Sequence, residues 1–356
     1  MRARRLTPSD LLALTPDQLD GAVLLAPVTA SGAALPKGAR LDVASAARLI
    51  EAARIGGLGG SIRVAFLEPG DLHEDDAALR LARAVAGPGV RIDTPRQSRL
   101  DLVARWDGVL HVRVLELTRL NVLDPLEVFT LFHGQTVVAG ETVGSVKVAP
   151  HVVPEEVVAA GEAIARAGTL VDVRPFIPLD VGAIAAEALT PAALQRFEAG
   201  VRLKVQALGS RLAGSAVVGN PDPKAAELEA QDALTRLVRH ESLRVVLVGG
   251  VSAGDPLSPF FAALEGLGGR VLRRGVPAHP GSMIWLGELD ESRLLGLPQC
   301  GLFTMATAAD LVLPRLLTGE ALTASDLADL AHGGVLGRSM RFRFPAYARG
   351  LDSPEP

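Results

Sequence analysis

One cysteine, Cys300, stands in 356 residues. That excludes an internal disulfide and any zinc site built on several thiolates. Aromatic side chains make up only 4% of the chain, which leaves few faces on which bases could stack. Basic residues are not in excess either: 36 Lys and Arg against 40 Asp and Glu give a net charge of −4. Counter-ion release, the main route to nucleic-acid affinity, has little to act on, so no nucleic-acid partner is expected. No apolar run reaches the roughly 18–20 residues that span a bilayer, and no membrane partner is expected. The basic opening Met1-Arg2-Ala3-Arg4-Arg5 and the apolar stretch Gly21–Ala34 superficially suggest a secretory leader. Asp10, Asp17 and Asp20 lie between them and break the required succession, so a cytoplasmic location is expected.

What is present is an ordinary globular composition, 48% hydrophobic and 21% charged, at a length that suits two or three domains. Residues 1–175 read as a mixed α+β domain. Helices are expected over Leu41–Arg54, with Asp42 as N-cap, over Asp75–Val85 and over Pro154–Ala167. Short β runs are expected at Ile62–Leu67, Gly108–Leu115, Val128–Phe132 and Val143–Val148. Lys147, in the last of these, reads as an edge-strand residue or a phosphate contact. Two prolines in Arg174-Pro175-Phe176-Ile177-Pro178 mark a boundary.

Beyond it, residues 176–340 alternate strand and helix. Thr190-Pro191 is a cap followed by proline at the first helical position. Leu194, Phe197, Val201, Val205 and Leu208 then recur three and four apart as far as Gly209. Leu243–Val248 is apolar enough to be buried on both faces. This alternation predicts an α/β domain: a mostly parallel sheet with helices on both sides. Residues 341–356 read as a C-terminal tail.

In such sheets ligands bind beyond the carboxyl ends of the strands. Three loops answer to that position. Gly249-Gly250-Val251-Ser252-Ala253-Gly254-Asp255 follows the most buried strand, and its glycines permit a backbone that turns N–H groups toward an anion. Asp255 is either a helix cap or a metal-holding or basic group; Ser258-Pro259 supplies its own cap-plus-proline start, which leaves Asp255 free for chemistry. His279-Pro280-Gly281-Ser282 and Leu297-Pro298-Gln299-Cys300-Gly301 are the other two loops. Cys300 reads as packing rather than as a nucleophile, since no histidine partner is signalled. Of the seven histidines, none shows metal-ligand spacing, and His279 is the one placed beside a loop.

The succession Gly249–Asp255, Leu267-Gly268-Gly269, Pro280-Gly281, Gly296-Leu297-Pro298 and Leu316-Leu317-Thr318-Gly319 resembles the molybdopterin-binding domain of molybdopterin molybdenumtransferases, gephyrin and molybdopterin adenylyltransferases. The likeness covers roughly residues 180–335. Leu120-Asn121-Val122 and Gly140–Lys147 look like a divergent molybdenumtransferase-like subgroup.

The resemblance implies a three-layer α/β/α fold binding molybdopterin, or a nucleotide-bearing molybdenum-cofactor precursor, for cofactor biosynthesis or delivery. Gly249, Gly250, Val251, Ser252, Gly254, Asp255, Pro280, Gly281, Ser282, Pro298 and Gln299 are then the ligand-binding residues. Asp255 is the candidate catalytic group and the candidate ligand of Mg²⁺. The resemblance also implies a homo-oligomer and, as protein partners, cofactor-maturation enzymes or molybdoenzymes.

Departures from the pattern are specific. Leu257 stands where a second acid is usual, and Ser282 where lysine commonly follows Pro-Gly. Leu-Pro-Gly-Asn-Pro is replaced by Leu297–Gly301, and Thr-Gly-Asp-Glu-Leu by Ala185-Ala186-Glu187-Ala188-Leu189. Losing an acid and a lysine removes groups that position a metal and polarise phosphate. Binding survives such losses more readily than turnover. An active molybdenumtransferase and a non-catalytic docking or regulatory protein are the competing expectations.

Overall fold

The computed structural model describes residues 1–94, 99–298 and 305–351. The chain forms two compact units. One comprises Met1–Arg105, His111–His133 and Ala139–Val173; the other comprises Trp106–Leu110, Gly134–Val138 and Arg174–Pro356. The two short internal segments of the second unit, inside the stretch the sequence assigns to one N-terminal domain, pair with each other: Thr136 stands opposite Val109 and Val137 opposite Gly108. Val109, Leu110 and Val137 are buried apolar residues.

The second unit is built on six strands: β1 (Asp180–Ala185), β2 (Arg211–Val217), β3 (Val245–Gly249), β4 (Arg270–Arg274), β5 (Trp285–Leu289) and β6 (Ser292–Gly296). Their order is β2-β1-β3-β6-β5-β4. β1, β2, β3 and β6 run parallel. β5 is antiparallel to both β6 and β4, so β5 alone is reversed and the marginal strand β4 runs in the same direction as β1, β2, β3 and β6.

Every residue of β3 is buried. Val245 and Leu247 belong to one core, Val246 and Val248 to another, as the two-residue strand period requires. The first core packs against helix α1 (Pro191–Gln206) through Phe197, Val201 and Val205, and also against Leu311, Val312 and Leu316 of a C-terminal helix, Ala309–Leu316. The second is covered by α2 (Pro223–Leu234), through Ala230 and Leu234, and by α3 (Pro259–Gly266), through Phe260, Phe261 and Leu264. Each fully buried Leu, Val or Phe contributes about 1.5–3 kcal/mol of transfer free energy. The result is an α/β/α sandwich with the sheet in the middle. α1 opens as its sequence predicts, with the Thr190 hydroxyl accepting from the Ala193 amide.

Several expectations need correction. The sequence from Lys224 to Arg239 reads as one helix, but α2 ends at Leu234 and passes into a π-helix, Thr235–His240. Ala309–Leu316 is α4 and Ala324–Ala328 is α5. Residues 341–351 are no tail. A 3-10 turn, Arg338–Arg343, and α6 (Ala346–Arg349) carry Phe344 and Ala348 into the first core. Arg343 is buried rather than solvated, donating to the Gly333 carbonyl.

In the other unit, Asp42 caps Val43–Arg54 by accepting from the Ser45 amide. The strand from Gly108 stops at Val112, and Val114–Asn121 is helical. Asn121 is fully used by the backbone, its amide bonding both the N–H and the carbonyl of Val128. Lys147 is not on an edge. Its strand, Thr142–Val148, is interior to a four-stranded antiparallel sheet, with Glu127 and Arg99 opposite.

Candidate functional site

Strand direction brings the three loops to one edge of the sheet. β3 and β6 are parallel neighbours, so their carboxyl ends, Gly249 and Gly296, emerge together. β5 runs the other way, with Trp285 paired to Gly296, so the loop entering β5 arrives at that same edge. Between the loops lies a cleft of about 450 Å³. Gly250, Val251 and Ser252 line it from the first loop; His279, Gly281, Ser282 and Met283 from the second; Leu297 and Pro298 from the third.

The backbone at the cleft requires glycine at two points. Gly250 has φ +84°, and a β-carbon there would stand 2.9 Å from the Ala186 carbonyl. Gly281 has φ +103°, and a β-carbon there would stand 2.7 Å from the Ala308 amide nitrogen. A side chain is disfavoured at positive φ even with space available, and here the space is occupied too.

These conformations leave main-chain donors unspent. The N–H groups of Gly250, Val251 and Ser252, and those of Gly281, Ser282 and Met283, donate to no acceptor among the described residues. Consecutive free amides in a turn form a concavity of positive potential suited to an anion. The Ser252 and Ser282 hydroxyls add donors beside them. Val251, Met283, Leu297 and Pro298 make the rest of the surface apolar.

The frame behind the loops is rigid. Trp285 is fully buried, and its indole N–H donates to the Val251 carbonyl at 3.0 Å. Phe261 meets its ring edge-on, with centroids 5.1 Å apart. Behind Gly281, the Ala308 amide donates to the Pro280 carbonyl at 2.9 Å. The neighbouring Thr307 amide donates to the Asp310 carboxylate at 2.9 Å. Asp310 itself is buried and receives the Lys204 ammonium at 2.5 Å and the Tyr347 hydroxyl at 3.0 Å. Burial and the adjacent Asp310 charge push the Tyr347 phenol well above its ordinary range.

Not all residues singled out from the sequence reach the cleft. Gly249 ends β3, its carbonyl taking the Ala186 amide. Gly254 donates to the Ser252 hydroxyl, and Pro280 supports Ala308; neither is among the described lining residues. Gln299 and Cys300 lie outside the described residues.

Asp255 is exposed, and its Oδ1 accepts from the Leu257 amide at 3.0 Å. The expectation that it lacks a structural task is therefore corrected: the Ser258 side chain makes no capping bond, and Asp255 closes the turn before α3 instead. No group of three or more His, Cys, Asp or Glu side chains placed to hold a metal ion occurs among the described residues. Sequence reasoning did not foresee Trp285, Asp310 or Met283.

No protein-family model and no curated protein matches this chain. Among solved structures, a molybdopterin biosynthesis MoeA protein from Pyrococcus horikosii is 14% identical over 70% of this chain and 79% of its own, with a TM-score of 0.28. A NadC deletion mutant is 14% identical over 56% of this chain and 81% of its own, with a TM-score of 0.17. Neither superposition is close enough to bear on fold or function.

Proposed function

We propose that the cleft binds the phosphate of molybdopterin, or of a nucleotide-bearing precursor of the molybdenum cofactor, and that the protein serves biosynthesis or delivery of that cofactor. The observation that carries this reading is the pair of free amide runs, 250–252 and 281–283, on residues that line one cleft with no acidic side chain among its described lining residues. A hydrogen bond to a charged acceptor is worth about 1.5–3 kcal/mol, so a few well-aimed amides suffice for micromolar affinity. The apolar surface beside them suits a flat ring system. The sequence motif at these same loops is what directs the choice of ligand to a pterin.

Binding is favoured over turnover because Asp255, the one acid the loop series offers, is engaged with the Leu257 amide. Delivery entails a receiving protein, a molybdoenzyme or a maturation enzyme. Titrating the purified protein with molybdopterin tests the reading. Saturable binding at micromolar levels is expected, and its absence overturns the proposal. A single-turnover assay with adenylylated molybdopterin and molybdate separates the alternatives: AMP release that Asp255→Asn abolishes would replace the binding role with molybdenumtransferase activity.

A further inference from the structure

His279 is the only residue among the described cleft lining whose side chain can carry a charge. Its main chain is held from both directions. The His279 amide donates to the Gly334 carbonyl at 2.7 Å, and its carbonyl accepts from the Leu336 amide at 2.7 Å. The imidazole, in contrast, makes no hydrogen bond to any described residue. Other histidines are committed within the protein: His73 to Gly38 and Asp75, and His151 to Glu74. A residue fixed by its backbone, with an uncommitted ring at a cleft of free amides, is positioned to contact what the amides hold.

We infer that His279 is the specificity-determining contact of the cleft, donating an imidazole N–H to a terminal oxygen of the bound phosphate group. This rests on reading the cleft as an anion site. Amide dipoles attract any oxyanion, carboxylate or sulfate included, whereas an imidazole N–H adds a directed donor for a further terminal oxygen of a phosphate monoester or pyrophosphate. No Lys or Arg is among the described lining residues, and Ser282 occupies the position after Pro280-Gly281. The side-chain nitrogen donor that can single out a phosphate group is thus supplied by residue 279.

The test uses the full chain and two probes. With molybdopterin, His279→Gln is expected to weaken binding by about tenfold to a hundredfold. His279→Lys, which restores a nitrogen donor at this position, should recover most of that loss. Dephosphorylated molybdopterin should bind wild type and His279→Gln alike. Unchanged thermal midpoints would show that the variants fold. Equal molybdopterin affinity in wild type and His279→Gln overturns the inference while leaving the cleft reading intact.

If wild type binds no pterin at all, the cleft's assigned ligand fails, and inorganic pyrophosphate decides the fate of His279. Its imidazole resonances should shift on titration, with saturation, in the NMR spectrum of the wild-type protein. Static resonances would remove His279 as an anion contact altogether.

Discussion

At the scale of single residues, the cleft is shaped by what cannot be added to it. Gly281→Ala places a methyl group against the Ala308 amide at a φ that L-residues avoid. It should cost at least about 1–2 kcal/mol of stability and abolish saturable molybdopterin binding, both readable by thermal denaturation and titration. Gly250→Ala meets the Ala186 carbonyl and should behave in the same way.

Asp255 makes the opposite prediction. Asparagine keeps the carbonyl oxygen that accepts from Leu257, so Asp255→Asn should leave stability within about 0.5 kcal/mol and binding unchanged. Asp255→Ala removes the acceptor and should cost about 0.5–2 kcal/mol. A large loss of affinity in the asparagine variant would show that the Asp255 charge takes part in binding beyond its hydrogen bond to Leu257.

Elements are joined in this unit by one buried charge pair. Lys204 on α1 and Asp310 on α4 are both almost wholly inaccessible, and α6 contributes the Tyr347 hydroxyl to the same carboxylate. Lys204→Met would strand the Asp310 charge and should destabilise by about 3–5 kcal/mol, measured by urea unfolding.

The phenol of Tyr347 has a folded pKa raised by burial and by Asp310, above an unfolded value near 10. Its stabilising contribution is fully present below about pH 10 and is lost as pH rises through the folded value. Thermal midpoints across the alkaline range should therefore fall for wild type and fall less steeply for Tyr347→Phe.

How far these elements could be read in advance depended on whether their signals were local. Thr190-Pro191 and Asp42 announce their helices because a cap and the bond it accepts lie three residues apart. β3 declares itself through continuous apolarity. The place of the first and third loops was legible because alternating strands and helices fix the sheet edge on which they emerge, whereas the second reaches that edge only because β5 is reversed. α6 was not legible: Tyr347 is justified by Asp310, 37 residues earlier, and no local pattern encodes that partner. Asp255 was misjudged for the reverse reason. A bond to an amide two residues away leaves no mark on composition or periodicity.

For the molecule as a whole, the order of the chain and the order of the units diverge. The boundaries at 105/106, 110/111, 133/134, 138/139 and 173/174 take the polypeptide back and forth between units. A fragment beginning at residue 174 lacks Val109, Leu110 and Val137, each at most 2% exposed in the intact protein. It should unfold at a lower temperature than the full chain, with part of that loss recovered when a peptide spanning 104–140 is supplied in trans.

This interleaving bears on how such a protein can change over evolutionary time. A gene segment encoding only the C-terminal stretch would not carry a self-sufficient module, because two short pieces of its scaffold are written upstream within the other unit's code. Recombination that replaces or deletes the N-terminal stretch would therefore also remove part of the second unit's scaffold.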